Sequence, residues 1–128
     1  MNPDTKFLVV DDYLSMRRMV KSVLNDLGYT NVVEADDGST ALPLLCNGEF
    51  DFLITDWNMP GMPGLELLKA VRANARLAKL PVLMVTAEAK REQIVEAVQA
   101  GVNGYIIKPF TAEVLKGKLA KILTAAPK

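Results

Sequence analysis

The chain has 128 residues, half of them apolar, which suffices for one domain with a real core and argues against disorder. Lys plus Arg and Asp plus Glu both number 15, so the formal net charge is zero and the basic excess of a counterion-releasing nucleic-acid binder is missing. With no histidine and one cysteine, Ser-His-Asp and Cys-His catalysis, imidazole metal ligation, an internal disulfide and a thiolate zinc cluster are excluded.

Met1-Asn2-Pro3-Asp4-Thr5-Lys6 carries no signal-peptide pattern, and no apolar run approaches the roughly 18 residues of a membrane span. A cytoplasmic protein without membrane insertion is expected. Lys6–Val10 reads as the first strand. Met16, Met19, Val20, Val23, Leu24 and Leu27 then hold helical spacing up to Gly28, a C′ stop. A strand at Val32–Ala35 precedes a short helix from Ser39 to about Cys46, closed by Asn47-Gly48. Strands at Asp51–Thr55 and Val82–Val85 flank a helix marked by Leu65, Leu67, Leu68 and Val71. Ile94, Val95 and Val98 mark the fourth helix, ended by Gly101, and Tyr105–Ile107 the fifth strand. Val114, Leu115, Leu119, Ile122 and Leu123 make the last helix.

Five strand–helix units in strict alternation argue for an α/β protein, a five-stranded parallel sheet with five helices on both faces. The units use all of residues 1–128, so one domain without an effector domain is expected, with its output passing through its own surface. Three residues strain local rules. Pro43 falls inside the short second helix, where an interior proline costs about 3 kcal/mol. Pro63 has no side-chain oxygen to cap the third helix, and Gly117 costs roughly 1 kcal/mol against Ala in the last.

The carboxyl ends of the strands carry the chemistry. Phe7-Leu8-Val9-Val10-Asp11-Asp12 and Phe52-Leu53-Ile54-Thr55-Asp56 are continuous apolar runs, as in strands buried on both faces, and both end on acids. Thr86 ends the fourth strand and Lys108 the fifth. Ligands of open α/β sheets bind outside the carboxyl ends of the strands, so three acids, a hydroxyl and a lysine should converge there. Each alone could be a turn residue, a helix cap or a solvated end. Together, the acids would repel one another unless a cation sat between them, and a hard cation such as Mg²⁺ suits carboxylates, water and phosphate oxygens. Phosphoryl transfer to a carboxylate needs no general base, which fits a chain without histidine. Asp56 stands alone on its strand, opposite the acidic pair, and is favoured as the acceptor.

The remaining candidates read plainly. Cys46 is a small hydrophobe, and Trp57 an exposed aromatic beside a turn, useful as a probe. Met16, Met19, Met59, Met62 and Met84 pack core or loops. Arg17, Arg18, Arg72 and Arg76 read as solvated helix charges. The run Lys116, Lys118, Lys121 is offset locally by Glu113 alone, while Lys90 and Arg91 open the fourth helix.

Val9-Val10-Asp11-Asp12, Asp56-Trp57-Asn58-Met59-Pro60, Val85-Thr86-Ala87 and Lys108-Pro109-Phe110 resemble the motif set of response-regulator receiver domains. The nearest likeness is to single-domain chemotaxis regulators, over essentially the whole chain. The resemblance implies the flavodoxin-like strand order 2-1-3-4-5 and phosphorylation of Asp56. It implies Mg²⁺ ligation by Asp12, Asp56 and the Asn58 backbone carbonyl, with Asp11 acting largely through a metal-bound water. Thr86, Lys108 and the Ala87 N–H would hold phosphoryl oxygens, and Lys108–Pro109 would be cis. Asn58 and Glu88 would tune dephosphorylation, and Thr86 and Tyr105 would form the switch. Arg91, Ile94, Tyr105, Ile107, Lys118 and Lys121 would bind a partner.

Implied partners are a histidine kinase as phosphodonor, the flagellar motor switch and a dedicated phosphatase, with no nucleic acid, for a monomeric signalling protein. It would catalyse only its own phosphorylation and dephosphorylation. A second reading is a phosphate sink or phosphorelay shuttle without a motor target. A phosphatase or mutase with an Asp nucleophile typically needs a second Asp two residues on, where this chain has Asn58.

Overall fold

Ten elements alternate in the computed structural model, which describes residues 4–59, 61–87 and 90–125. They are β1 (Phe7–Val10), α1 (Leu14–Asp26), β2 (Val32–Ala35), α2 (Gly38–Asn47), β3 (Phe52–Asp56), α3 (Gly64–Ala73), β4 (Val82–Thr86), α4 (Arg91–Gln99), β5 (Gly104–Ile107) and α5 (Ala112–Ala125). All pairings are parallel, in the order β2-β1-β3-β4-β5. Strand order and fold class are those expected. Among the described residues, no helix is long and apolar enough to cross a membrane.

Strand ends shift by one residue against the sequence pattern, and pairing explains why. Lys6 precedes β1, its carbonyl accepting the N–H groups of Asp51 and Phe52 at 2.8 and 3.2 Å. Asp56 and Thr86 belong to their strands because they align with Val85 and Ile107. Gly104 joins β5 opposite Leu83.

Strand alternation divides the core into two layers. Phe7, Val9, Phe52, Ile54, Leu83, Val85 and Ile106 pack with Val20, Val23 and Leu24 of α1 and Leu115 and Leu119 of α5. Leu8, Val10, Leu53, Val82 and Met84 face α2, α3 and Ala97 of α4. Asp11, Asp56 and Lys108 continue the parity of the α1/α5 face, whereas Thr86 and Tyr105 continue that of the α4 face.

Local signals behave as their chemistry requires. Gly28 takes a φ of 96° just past α1, a backbone region that excludes most L side chains. Pro43 is interior to α2, yet the helix persists. Asp37 caps its start by accepting the Thr40 N–H at 3.0 Å, Ala41 and Leu45 are fully buried, and Arg76 donates to the Cys46 and Gly48 carbonyls at its end. Pro63 is the N-cap of α3 and makes no side-chain bond there.

Candidate acidic phosphoryl-acceptor site

The order β2-β1-β3 makes the chain leave β1 in one direction and return in the other, opening a crevice at the carboxyl ends of β1 and β3. Asp11, immediately after β1, is 3% exposed, and its N–H donates to the Ala35 carbonyl at 3.2 Å. Its Oδ1 accepts the Tyr13 N–H at 2.9 Å and its Oδ2 accepts Lys108 Nζ at 3.1 Å. Asp56, 5% exposed, meets the same Nζ at 3.2 Å. Asp12 is exposed, and one carboxylate oxygen from each of the three acids lies within 4.8 Å of the others. Asp12, Tyr13, Asp56, Asn58, Met59 and Lys108 line an open cleft of about 640 Å³.

Charge explains the chemistry of this cluster. Burial pushes the Asp56 carboxyl up to about 6, repulsion from Asp11 adds to it, and Lys108 only partly offsets both. Burial disfavours the charged Lys108, but the hydrogen bond to Asp11 and the charge of Asp56 outweigh it, leaving its pKa above the ordinary lysine value. One ammonium thus serves two buried carboxylates, and a third acid stands open to solvent. A donor set of clustered carboxylate oxygens, without thiolate or imidazole, fits a hard divalent cation such as Mg²⁺.

The Response regulator receiver domain family matches residues 7–120. The chain belongs to that family. This receiver is 69% identical over 117 residues to Chemotaxis protein CheY of Pseudomonas aeruginosa, covering 91% of this chain and 94% of that protein. It is 66% identical over 122 residues to Chemotaxis protein CheY-3 of Vibrio cholerae, covering 95% and 94%. Among solved structures it resembles CheY4 of Vibrio cholerae, with a TM-score of 0.87 at 40% identity over 93% of this chain and 98% of that one. It likewise resembles a CheY-like receiver domain protein of Methanospirillum hungatei, with a TM-score of 0.87 at 29% identity over 94% of each. The receiver is a signalling protein, and receiver domains generally bind Mg²⁺ at an acidic pocket such as the one Asp11, Asp12 and Asp56 form here.

The other candidate positions fall as follows. Thr86 is 4% exposed at the end of β4, and its carbonyl accepts the Lys108 N–H at 2.7 Å. Lys108–Pro109 is cis, Ala87 lines the acidic cleft, and Glu88 lies outside the described residues. Tyr105 aligns with Met84, two residues before Thr86 on the same face of the sheet, and Lys118 Nζ lies 5.4 Å from its ring centroid. Tyr105, Lys118 and Lys121 line a second hollow of about 430 Å³. Ile107 is exposed, but Arg91 and Ile94, at the start of α4, do not line that hollow.

Two plain readings need correction. Trp57 is not an exposed aromatic: it is 9% exposed, in the core beside Met59, Leu67 and Leu68. It follows Asp56 by one residue and so turns to the opposite face, into the α2/α3 layer. Arg17, Arg72 and Arg76 are not merely solvated charges. Arg72 donates to the Leu80 and Gly101 carbonyls at 2.7 Å and to Asn103 Oδ1 at 3.0 Å, while Arg76 reaches the end of α2. Arg17 bonds Glu34 and the Asp11 carbonyl. Its spacing, four residues after Tyr13, was visible in the chain, but its partners were not.

Proposed function

We propose that this receiver is a phosphorylation-activated chemotaxis response regulator that accepts a phosphoryl group on Asp56 from a histidine kinase and then binds the flagellar motor switch. The observation that carries this reading is the gathering of Asp11, Asp12 and Asp56 within 4.8 Å beside Lys108. The identity to chemotaxis proteins, 69% and 66%, supports the pathway.

In this mechanism Asp12, Asp56 and the Asn58 carbonyl would hold Mg²⁺, and Asp11 would act on it indirectly. Bound Mg²⁺ supplies charge neutralisation for the acids and the incoming phosphoryl oxygens. An Asp56 oxygen attacks phosphorus of the donor phosphohistidine. The O–P bond forms as the P–N bond breaks, and the imidazole nitrogen keeps the electron pair. Lys108 exchanges its contact with Asp56 for a phosphoryl oxygen, and the Thr86 hydroxyl and Ala87 N–H hold others, so catalysis is placement and electrostatics. Asn58 and Glu88 set access of hydrolytic water.

Output follows from Thr86. Drawn toward the phosphoryl oxygen, it vacates space on the α4 face into which the Tyr105 ring turns, a shift of population between two surfaces. Arg91, Ile94, Tyr105, Ile107, Lys118 and Lys121 then offer a basic and apolar patch to an acidic amphipathic segment of the motor switch. Calorimetry with a motor-switch peptide tests this. Tighter binding with beryllofluoride, about 5- to 150-fold, is expected, weakened by Lys118→Glu and Lys121→Glu. Equal affinity in both states would overturn the switch, and absence of peptide binding would favour a phosphate sink.

A further inference from the structure

Helix α1 begins without the devices that usually hold a helix start. Its N-cap, Tyr13, makes no side-chain bond, and its first turn carries no acid. Yet the loop leading into it bears Asp11 and Asp12, whose placement decides whether a cation can be held. Besides the bonds of Asp11 to Ala35 and Lys108, two contacts tie this loop to the start of α1. Asp11 folds back to accept the Tyr13 N–H at 2.9 Å, and Arg17, one turn into the helix, donates from Nη1 to the Asp11 carbonyl at 2.5 Å.

The second contact sits on a built support. Arg17 Nε donates to Glu34 Oε1 at 3.1 Å, and the Arg17 side chain is 16% exposed. Glu34 aligns with Val9 of β1, two residues before Asp11, and so projects on the α1 face. Lys21, a turn further along α1, approaches the other oxygen of Glu34 at 4.0 Å. Glu34 neutralises Arg17, which therefore brings no unpaired cation to compete at the acidic cleft.

We propose that Arg17 is a positioning residue for the metal site. Anchored on Glu34, it fixes the peptide plane between Asp11 and Asp12 and thereby the direction in which Asp12 leaves the chain. The oxygen that Arg17 holds and the nitrogen of Asp12 belong to one planar unit, so orienting one orients the other. The role requires a fork that reaches two acceptors through different nitrogens, which a lysine ammonium does not provide. This inference rests on the reading of the acids as a Mg²⁺ site.

Calorimetric Mg²⁺ titration of the full chain tests it, together with melting temperature and hydrogen exchange at the Asp12 and Tyr13 amides. Arg17→Gln and Arg17→Lys should each weaken Mg²⁺ about 10-fold, the usual scale for a residue behind a metal ligand. Both should speed exchange in the loop ahead of the sheet. Glu34→Ala, which leaves Arg17 intact but unanchored, should weaken Mg²⁺ in the same direction and decides the matter if the Arg17 variants do not fold. Wild-type affinity in Arg17→Lys would reduce the role to charge and overturn the proposal. So would a lower melting temperature with unchanged Mg²⁺ affinity. Asp12→Ala is the control: if it too binds Mg²⁺ as wild type, the metal site itself is misplaced.

Discussion

Gly64 stands against the backbone of Asp56, so close that a β-carbon on it would lie 2.2 Å from the Asp56 carbonyl oxygen. The Gly64 N–H donates to the Trp57 carbonyl at 2.9 Å, tying the start of α3 to the end of β3. The neighbouring atom is backbone in a central strand, so it cannot swing aside. The Met84 sulfur would also be met, at 2.9 Å.

Gly64→Ala should therefore move the strand end that carries Asp56. Overpacking of this kind costs about 1–3 kcal/mol, read as a lower urea midpoint. Mg²⁺ affinity should fall with it. A variant with an unchanged midpoint would mean that α3 slides without disturbing β3.

The raised Asp56 pKa has a consequence for stability. Between the ordinary carboxylate value of 3.8 and about 6, the folded protein binds more protons at Asp56 than the unfolded chain does. Its contribution is complete below about pH 4 and lost as pH rises through about 6, amounting to at most about 3 kcal/mol. Asp56→Asn cannot ionise, so without Mg²⁺ it should melt higher than wild type at pH 8, and the gap should close by about pH 4. A constant gap across that range would place the strain elsewhere.

Mg²⁺ acts on the same balance. Because Asp12 is the exposed acid of the three, Asp12→Ala should abolish Mg²⁺ binding while leaving the Lys108 contacts with Asp11 and Asp56 intact. Trp57, the only tryptophan, is buried next to Asp56, so its fluorescence should follow the metal in wild type and stay flat in the variant. A wild-type titration curve in Asp12→Ala would remove Asp12 from the site.

Arg72 is a structural tie outside the cleft. Its guanidinium joins the chain before β4 to the loop after α4 through Leu80, Gly101 and Asn103. Arg72→Ala removes the side-chain donor from the Leu80 and Gly101 carbonyls, whereas Asn103 Oδ1 keeps the Val82 N–H at 2.8 Å; the change should cost about 2–4 kcal/mol, with Arg72→Lys recovering only part. Denaturant unfolding measures both, and equal midpoints for Arg72→Ala and wild type would show that water replaces the side chain.

Gly117 offers the opposite test. A β-carbon there meets nothing within 4 Å, in an exposed turn of α5. Gly117→Ala should stabilise by about 0.5–1 kcal/mol, raising the melting temperature without altering Mg²⁺ affinity.

What could be read from the chain alone is what depends on short-range order. Continuous apolar runs at Phe7–Val10 and Phe52–Ile54 announce doubly covered strands, because parallel strands must bury both faces. Strict alternation with helices then brings the residues ending β1, β3, β4 and β5 to one edge, so Asp11, Asp12, Asp56, Thr86 and Lys108 were visible as a group. Tertiary structure alone decided which of them touch. Lys108 shares one ammonium between Asp11 and Asp56, across 97 residues of chain to the former. It also decided that Trp57 is buried, and that Arg17, Arg72 and Arg76 bind carbonyls. A long side chain next to a buried acid or at a helix face has the same local pattern whether it ends in water or on a carbonyl. Only the approach of distant segments, set by closure of the two core layers, brings the carbonyl within reach.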